Sequence, residues 1–143
     1  MTFKRTSYRA YAHSSYVYCM LLAQALHRHD RGKEVLITGG GDGTIKMWSL
    51  FGLETAGLVL IHKFKNASAS VLSLAHNGIF LYAGLATGRV HVYNLDSQQL
   101  VQRINVGFED VTTLQVVDGV AFCGTSDGLL KVGAAAHSIT NIL

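Results

Sequence analysis

The amino-acid sequence predicts an all-β fold, a partial β-propeller of about three four-stranded blades. The prediction rests on glycines that recur at a regular spacing, on apolar residues that alternate with polar ones, and on turn signals between the alternating runs. The chain has 143 residues, of which 49% are hydrophobic and 15% are charged. This composition favours a folded domain with a sizeable core over a disordered chain.

The repeat is clearest when Gly43, Gly88 and Gly128 are aligned, because they lie 45 and 40 residues apart. Each is followed by an alternating run, and each is preceded four residues earlier by a second glycine. The earlier glycines are Gly39, Gly84 and Gly124. A recurring glycine pair indicates a structural unit in which glycine supplies positive φ at a turn and close approach between strands.

Each repeat contains strands separated by turn signals. In the second repeat, His76-Asn77-Gly78 lies between the apolar runs VLSLA and IFLYAG, and Asn-Gly in that setting is a strong hairpin signal. Asp118-Gly119 has the same place in the third repeat, and Asp42-Gly43 leads into a third strand in the first. The runs LVLIHKF and LVQRINV supply a fourth strand to the first two units. Four strands in a period of about 40 to 45 residues are typical of a propeller blade.

These units give a predicted organisation for the whole chain. A lead-in segment covers residues 1–9, the repeat region covers 10–135, and a tail covers 136–143. The predicted blades span about 13–64, 67–106 and 107–135. The segment CMLLAQALHRH, residues 19–29, is rich in helix-forming residues and could be a helix. The repeat register favours a strand up to about Leu22, followed by a long hairpin loop.

The first repeat carries four residues whose spacing resembles that of the WD40 repeat family. In that family a His before the first strand, a Ser or Thr in the second, an Asp in the next turn and a Trp in the third form a hydrogen-bonded set. The matching residues are His13, Thr38, Asp42 and Trp48. The resemblance implies a structural role, because a buried indole N–H needs an acceptor, and a hydroxyl can link it to an imidazole whose tautomer a carboxylate fixes.

The other two repeats depart from the family pattern. The second has Ala67, Ala83, Thr87 and Tyr93 at those places, and the third has Gly107, Cys123, Asp127 and Gly133. Their blades are expected to rely on packing and on turns.

A narrower resemblance is to the amino-terminal WD40 region of the DUG-type family of fungal glutathione-degrading peptidase complexes. It rests on YAHSSYVYCMLLA, EVLITGGGDGTIKMW, SVLSLAHNGIFLYAG and LDSQQLVQRI. In that family the WD40 region is joined to a zinc exopeptidase-like domain and works with a glutamine-amidotransferase-like partner. The resemblance implies a non-catalytic scaffold that binds other protein subunits. Two alternatives remain open: a fragment of a zinc-dependent di- or tripeptidase whose catalytic domain is missing here, and a WD40 adaptor of an unrelated assembly.

No catalytic, cofactor-binding or metal-binding residue is assigned. The glycine-rich stretch lacks the third glycine of a dinucleotide-binding loop and the Gly-Lys-Ser/Thr of a P-loop, and a strand pattern follows it. His27, His29 and Asp30 form a metal-like cluster with no evident partner pair, which indicates a solvated loop. Cys19 and Cys123 lie in apolar runs and are expected to be buried thiols, not nucleophiles.

Partners and location are predicted from charge and cysteine usage. The chain has twelve Lys and Arg residues and nine Asp and Glu residues. The basic residues are scattered along the sequence, which argues against nucleic-acid binding. No apolar run of about 18 residues predicts a membrane span, and the start lacks the apolar segment of a signal peptide. Two cysteines without a paired motif favour the cytoplasm, with the nucleus as an alternative.

Two further expectations concern exposure and completeness. His62, His76 and His91 are expected to face solvent, and the aligned residues Lys46, His91 and Lys131 are expected to form a solvated outer ring. Propellers have about four to eight blades. We therefore expect the chain to be a fragment whose remaining blades come from missing sequence or from other copies.

Overall fold

The computed structural model describes residues 11–53 and 57–134, and the predicted lead-in (1–9) and tail (136–143) lie outside them. The regular elements it describes are eleven strands and a 3-10 turn at Arg28–Asp30. The strands are β1 Val17–Gln24, β2 Glu34–Gly40, β3 Ile45–Ser49, β4 Val59–Lys63, β5 Val71–Asn77, β6 Phe80–Leu85, β7 Arg89–Asn94, β8 Leu100–Asn105, β9 Val111–Val117, β10 Val120–Thr125 and β11 Leu130–Ala134. The fold is all-β, as predicted.

The strands form three antiparallel sheets in which sequence neighbours are also neighbours in space. Blade 1 has the order β1-β2-β3-β4, blade 2 has β5-β6-β7-β8, and blade 3 has β9-β10-β11. The first strand of each blade packs against the first strand of the next, so that β1 contacts β5 and β5 contacts β9. Blade 3 differs from the prediction, since it has three strands among the described residues.

Segment 19–29 forms mainly strand, which decides between its two predicted structures. Strand β1 pairs with β2 from Val17 opposite Gly40 to Gln24 opposite Glu34, two residues beyond the predicted end at Leu22. Ala and Leu favour helices locally, but cross-strand pairing and packing against blade 2 outweigh this preference. The side chain of Cys19 contacts that blade, with its Sγ 3.5 Å from the carbonyl oxygen of Val71.

The core lies in two layers between successive blades. The layer between blades 1 and 2 includes Ile37, Met47, Phe64, Leu81 and Tyr93, each at most 1% exposed. The layer between blades 2 and 3 includes Tyr82, Val92, Val111, Leu114 and Cys123. Burying one such large apolar side chain contributes about 1.5–3 kcal/mol. Blade 2 is therefore buried on both faces, unlike a sheet with one solvated face.

The two end faces of this stack expose large apolar side chains. On blade 1, Met20 and Leu22 are 62% and 63% exposed. On blade 3, Val117, Phe122 and Leu130 are 55%, 37% and 72% exposed. Among the described residues, no helix has the length and hydropathy that a membrane crossing requires.

Candidate functional site

The structure brings His13, Thr38, Asp42 and Trp48 together at one face of blade 1. The indole Nε1 of Trp48 donates to Thr38 Oγ1 over 2.9 Å, and His13 Nε2 lies 2.7 Å from the same oxygen. Trp48 is 1% exposed, and both His13 and Thr38 are 4% exposed. The hydroxyl oxygen thus accepts from the indole while its own hydrogen points to the imidazole.

The other ring nitrogen of His13 faces the turn between β2 and β3. Its Nδ1 lies 3.1 Å from Asp42 Oδ1 and 2.9 Å from Thr44 Oγ1. Thr44 donates its hydroxyl to Asp42 over 2.7 Å, so its oxygen is an acceptor for the imidazole. The tautomer with its hydrogen on Nδ1 satisfies both ring nitrogens, because Nδ1 then donates to Asp42 and Thr44 while Nε2 accepts from Thr38. Thr44 was not predicted as a member of the set, and its only sequence signal is its place two residues after Asp42.

Asp42 is held as a carboxylate by the groups around it. Burial alone would raise its pKa, but hydrogen bonds from the Thr44 hydroxyl, the Ser14 and Thr44 backbone N–H groups and His13 lower that pKa well below its usual range. The set therefore links three separate segments of blade 1 through donors and acceptors that satisfy one another.

The repeat glycines serve turns and close contacts. Gly43, Gly88 and Gly128 have φ values of +78°, +73° and +84°. Gly39, Gly84 and Gly124 lie where a Cβ atom would overlap a neighbouring side chain. At Gly39 that neighbour is Val71 of the next blade, 2.5 Å from the position a Cβ would take.

The predicted solvated ring of Lys46, His91 and Lys131 is wrong. His91 is 6% exposed and faces blade 1, and both lysines are half-buried. Lys46 Nζ donates to the Ala12 carbonyl over 2.6 Å, and Lys131 Nζ donates to the Val106 carbonyl over 3.0 Å. The two lysines thus bind the backbone just before their own blades.

The expectation that three histidines face solvent holds for His76 only. His62 is half-buried, and its ring makes a perpendicular, edge-to-face contact with that of Phe64 at a centroid distance of 4.6 Å. Neither His62 Nε2 nor His91 Nδ1, both buried, has a hydrogen-bond partner. Burial lowers the pKa of both rings, assisted by His27 for His62 and by Arg103 and Arg89 for His91.

The His27–Asp30 loop docks on blade 2. His27 Nδ1 lies 2.5 Å from the carbonyl oxygen of Asp96, and Arg31 forms an ion pair of 3.0 Å with the Asp96 carboxylate. No three His, Cys, Asp or Glu side chains among the described residues are grouped to hold a metal ion.

Both thiols are shielded and poorly ionised. Burial raises the pKa of Cys19 to about 12, and burial also raises the pKa of Cys123. A nucleophilic cysteine needs the opposite, an accessible thiolate with a lowered pKa.

Blades 2 and 3 replace the indole differently. Tyr93 stands at the position of Trp48 and is fully buried, with its hydroxyl 3.3 Å from the Lys65 carbonyl oxygen. Gly133 stands at that position in blade 3 and presents no side chain.

Comparison with known proteins supports the same architecture. A family model described as WD40 repeated domain matches residues 21–143. The chain is 29% identical over 130 residues to the Saccharomyces cerevisiae protein "Probable di- and tripeptidase DUG2". That match covers 83% of this chain, but the chain spans only 15% of the length of that relative.

Solved structures show the fold. The WD40 repeats of RRP9 superpose with a TM-score of 0.72 at 18% identity, covering 92% of this chain and 39% of that one. Sqt1 of Saccharomyces cerevisiae gives 0.70 at 15% identity, covering 87% and 33%. The computationally designed Ika4 protein gives 0.62 at 18% identity, covering 94% and 100%. The repeats, the three blades and the family match together show that the chain belongs to the WD40 repeat family.

Proposed function

We propose that this chain is a non-catalytic protein-interaction scaffold and part of the WD40 region of a glutathione-degrading, DUG-type peptidase complex. The observation that carries the proposal is the similarity to the yeast di- and tripeptidase relative, which extends over 83% of this chain. The chain spans 15% of that relative. Peptide hydrolysis therefore belongs to other parts of such a protein, and holding subunits together belongs to the blades.

The open ends of the stack support an interaction role. Each internal blade face is covered by its neighbour, whereas Met20 and Leu22 at one end and Leu130 at the other are more than half exposed. Exposed apolar patches of this kind are typical of surfaces that other protein covers. The partners are further blades and other subunits, among them a glutamine-amidotransferase-like subunit, and the proposed compartment is the cytoplasm.

The hydrogen-bonded set has a structural role in this proposal. His13, Thr38 and Trp48 are buried and Asp42 closes the network, so the set fixes the segment before β1 against the β2–β3 turn. It stabilises blade 1 and keeps the end face of that blade in a defined shape.

Affinity purification followed by mass spectrometry tests the assignment to a complex. The tagged full chain is expected to recover peptidase and amidotransferase-like subunits. The paired change Met20→Glu and Leu22→Glu on the end face should reduce recovery several-fold. Gln102→Glu, at an exposed position on β8, is the control and should leave recovery unchanged. Recovery of an unrelated assembly alone would favour the adaptor alternative.

The name of the yeast relative also favours a second candidate, a piece of a zinc-dependent di- or tripeptidase. Incubating the purified chain with Cys-Gly or with glutathione, with and without zinc, separates the two. The scaffold proposal expects no turnover in any mixture. Zinc-dependent release of glycine by this chain alone would contradict it.

A further inference from the structure

Blade 1 has a long connection between its first two strands. It covers residues 25–33, whereas the equivalent connections in blades 2 and 3 are the two-residue turns 78–79 and 118–119. The loop is closed at its base by a backbone hydrogen bond of 2.9 Å from Ala25 N–H to the Lys33 carbonyl oxygen. An insertion that one repeat holds in a fixed position is a typical place for a binding surface in repeat proteins.

This loop is attached to blade 2, and two of its cations already have partners. Arg31 forms an ion pair of 3.0 Å with Asp96 of blade 2, and Lys33 forms one of 3.2 Å with Asp30 of the same loop. The next residue, Glu34, is exposed and has no ion-pair partner among the residues that the structure describes. Its carboxylate is therefore available to a cation from outside the chain.

The attached loop and the β5–β6 turn enclose a groove of about 380 Å³, at the small end of the range of ligand-binding pockets. Its apolar walls are provided by Leu22, Ala23, Leu26 and Leu95. Its polar side chains are those of Gln24, Glu34 and His76. Within the described part of the chain, no Lys or Arg lines this groove.

The three polar side chains share one property, the ability to accept hydrogen bonds. Glu34 lies opposite Gln24 in the β1–β2 register, and His76 comes from β5. A carboxylate only accepts, an amide accepts through its oxygen, and a neutral imidazole accepts at one nitrogen. An anionic ligand would meet the Glu34 carboxylate without a compensating cation, so the set favours a cationic donor.

An arginine side chain matches both parts of the groove. Its methylene groups can lie along the leucine side chains while its charged end reaches the polar rim. Its planar guanidinium carries five N–H donors, so it can pair with the carboxylate and still reach the amide oxygen or the imidazole. Guanidinium groups are also less strongly hydrated than ammonium groups, which favours them in protein interfaces.

We propose that the groove between the 25–33 loop and the β5–β6 turn receives an arginine side chain of a partner protein. The inference rests on the proposed scaffold function and names the chemistry of one partner contact. The groove is continuous with the surface that the scaffold function assigns to partners, because Leu22 belongs both to the groove and to the exposed end face of blade 1.

The test uses the full chain and follows the NMR signals of the Leu22 and Leu95 methyl groups. The probe is a capped pentapeptide with arginine at its centre between glycines and serines. In its control, citrulline replaces arginine, which keeps the shape of the side chain but removes the charge. The arginine peptide should shift both sets of signals and bind at least about threefold more tightly than the citrulline peptide. Equal binding of the two peptides would overturn the inference.

Two variants separate the groove from a general effect of charge. Glu34→Gln should abolish the preference for arginine. Asp118→Asn also removes one exposed carboxylate, from the equivalent turn of blade 3, and should leave the preference in place. The inference fails if Glu34→Gln keeps the preference, or if both variants lose it equally. The scaffold function would survive either result if affinity purification still recovered the complex subunits.

Discussion

Trp48 and Thr38 are joined by a hydrogen bond of 2.9 Å that is shielded from water, since the two residues are 1% and 4% exposed. The same hydroxyl oxygen lies 2.7 Å from His13 Nε2, so one threonine serves both a donor and an acceptor. This shared oxygen joins the two halves of the network, so loss of Thr38 would leave both Trp48 and His13 without a hydrogen-bond partner there.

Replacing Trp48 by alanine is expected to lower the free energy of unfolding by about 3–5 kcal/mol in the intact propeller, because it empties a buried aromatic site. Trp48→Phe keeps much of the ring but leaves the Thr38 oxygen without its donor, and a smaller loss of about 1–3 kcal/mol is expected. Urea melts measure both. A loss below about 1 kcal/mol for Trp48→Ala would show that blade 1 has been wrongly assigned.

Asp42 should make the fold sensitive to acid. Its folded pKa is lowered, so its hydrogen bonds stabilise the fold fully above the unfolded value of 3.8, and that contribution is lost as the pH falls through and below about 4. Melts from pH 6 to about 2.5 are the measurement. Asp42→Asn should be less stable at neutral pH, and its free energy of unfolding should fall less as the pH is lowered. The same fall in both proteins would argue against this role.

Local spacing in the sequence predicted the repeated strands, and it aligned His13, Thr38, Asp42 and Trp48, which the structure brings together. It failed for His91, whose alternation with apolar neighbours reads as a solvated position. In a single sheet that reading would hold, but blade 2 is covered on both faces, and His91 faces blade 1. Alternation along a strand separates its two faces but does not show which of them is exposed to solvent.

Contacts between segments that are distant in the chain could not be predicted from the sequence either. The histidine-rich loop meets Asp96, which lies 65 residues beyond Arg31 in the chain. Neither partner carries a recognisable motif, and only the docking of blade 1 on blade 2 brings them together. Gly133 is the converse case, because its departure from the family pattern is visible in the sequence but the open space around it is not.

Acid should also weaken the interface between blades 1 and 2 at milder pH. The pKa values of His62 and His91 are lowered from 6.5 in the fold, chiefly by burial, and also by the electrostatic influence of His27 on His62 and of Arg103 and Arg89 on His91. The unfolded chain therefore binds more protons, and the free energy of unfolding should fall as the pH drops below about 6.5.

Urea melts at pH 8, 6.5 and about 5.5 give the slope that the histidines produce. The double change His62→Gln and His91→Gln should flatten that slope, whereas His76→Gln, at an exposed position, should leave it in place. The expectation fails if the double variant keeps the slope of the unchanged chain.

Gly88 and Gly128 are equivalent turn residues with φ values of +73° and +84°, but their surroundings differ. A Cβ at Gly128 meets no atom within 4 Å, so Gly128→Ala should cost only the left-handed strain of about 1–2 kcal/mol. A Cβ at Gly88 would overlap the backbone carbonyl of Gly107, where blade 3 begins, and overpacking of this kind adds about 1–3 kcal/mol. Gly88→Ala should therefore be the more destabilising change in a urea melt. Equal losses for the two variants would mean that the segment at Gly107 moves away freely, and that the contact between the β6–β7 turn and blade 3 is not close-packed.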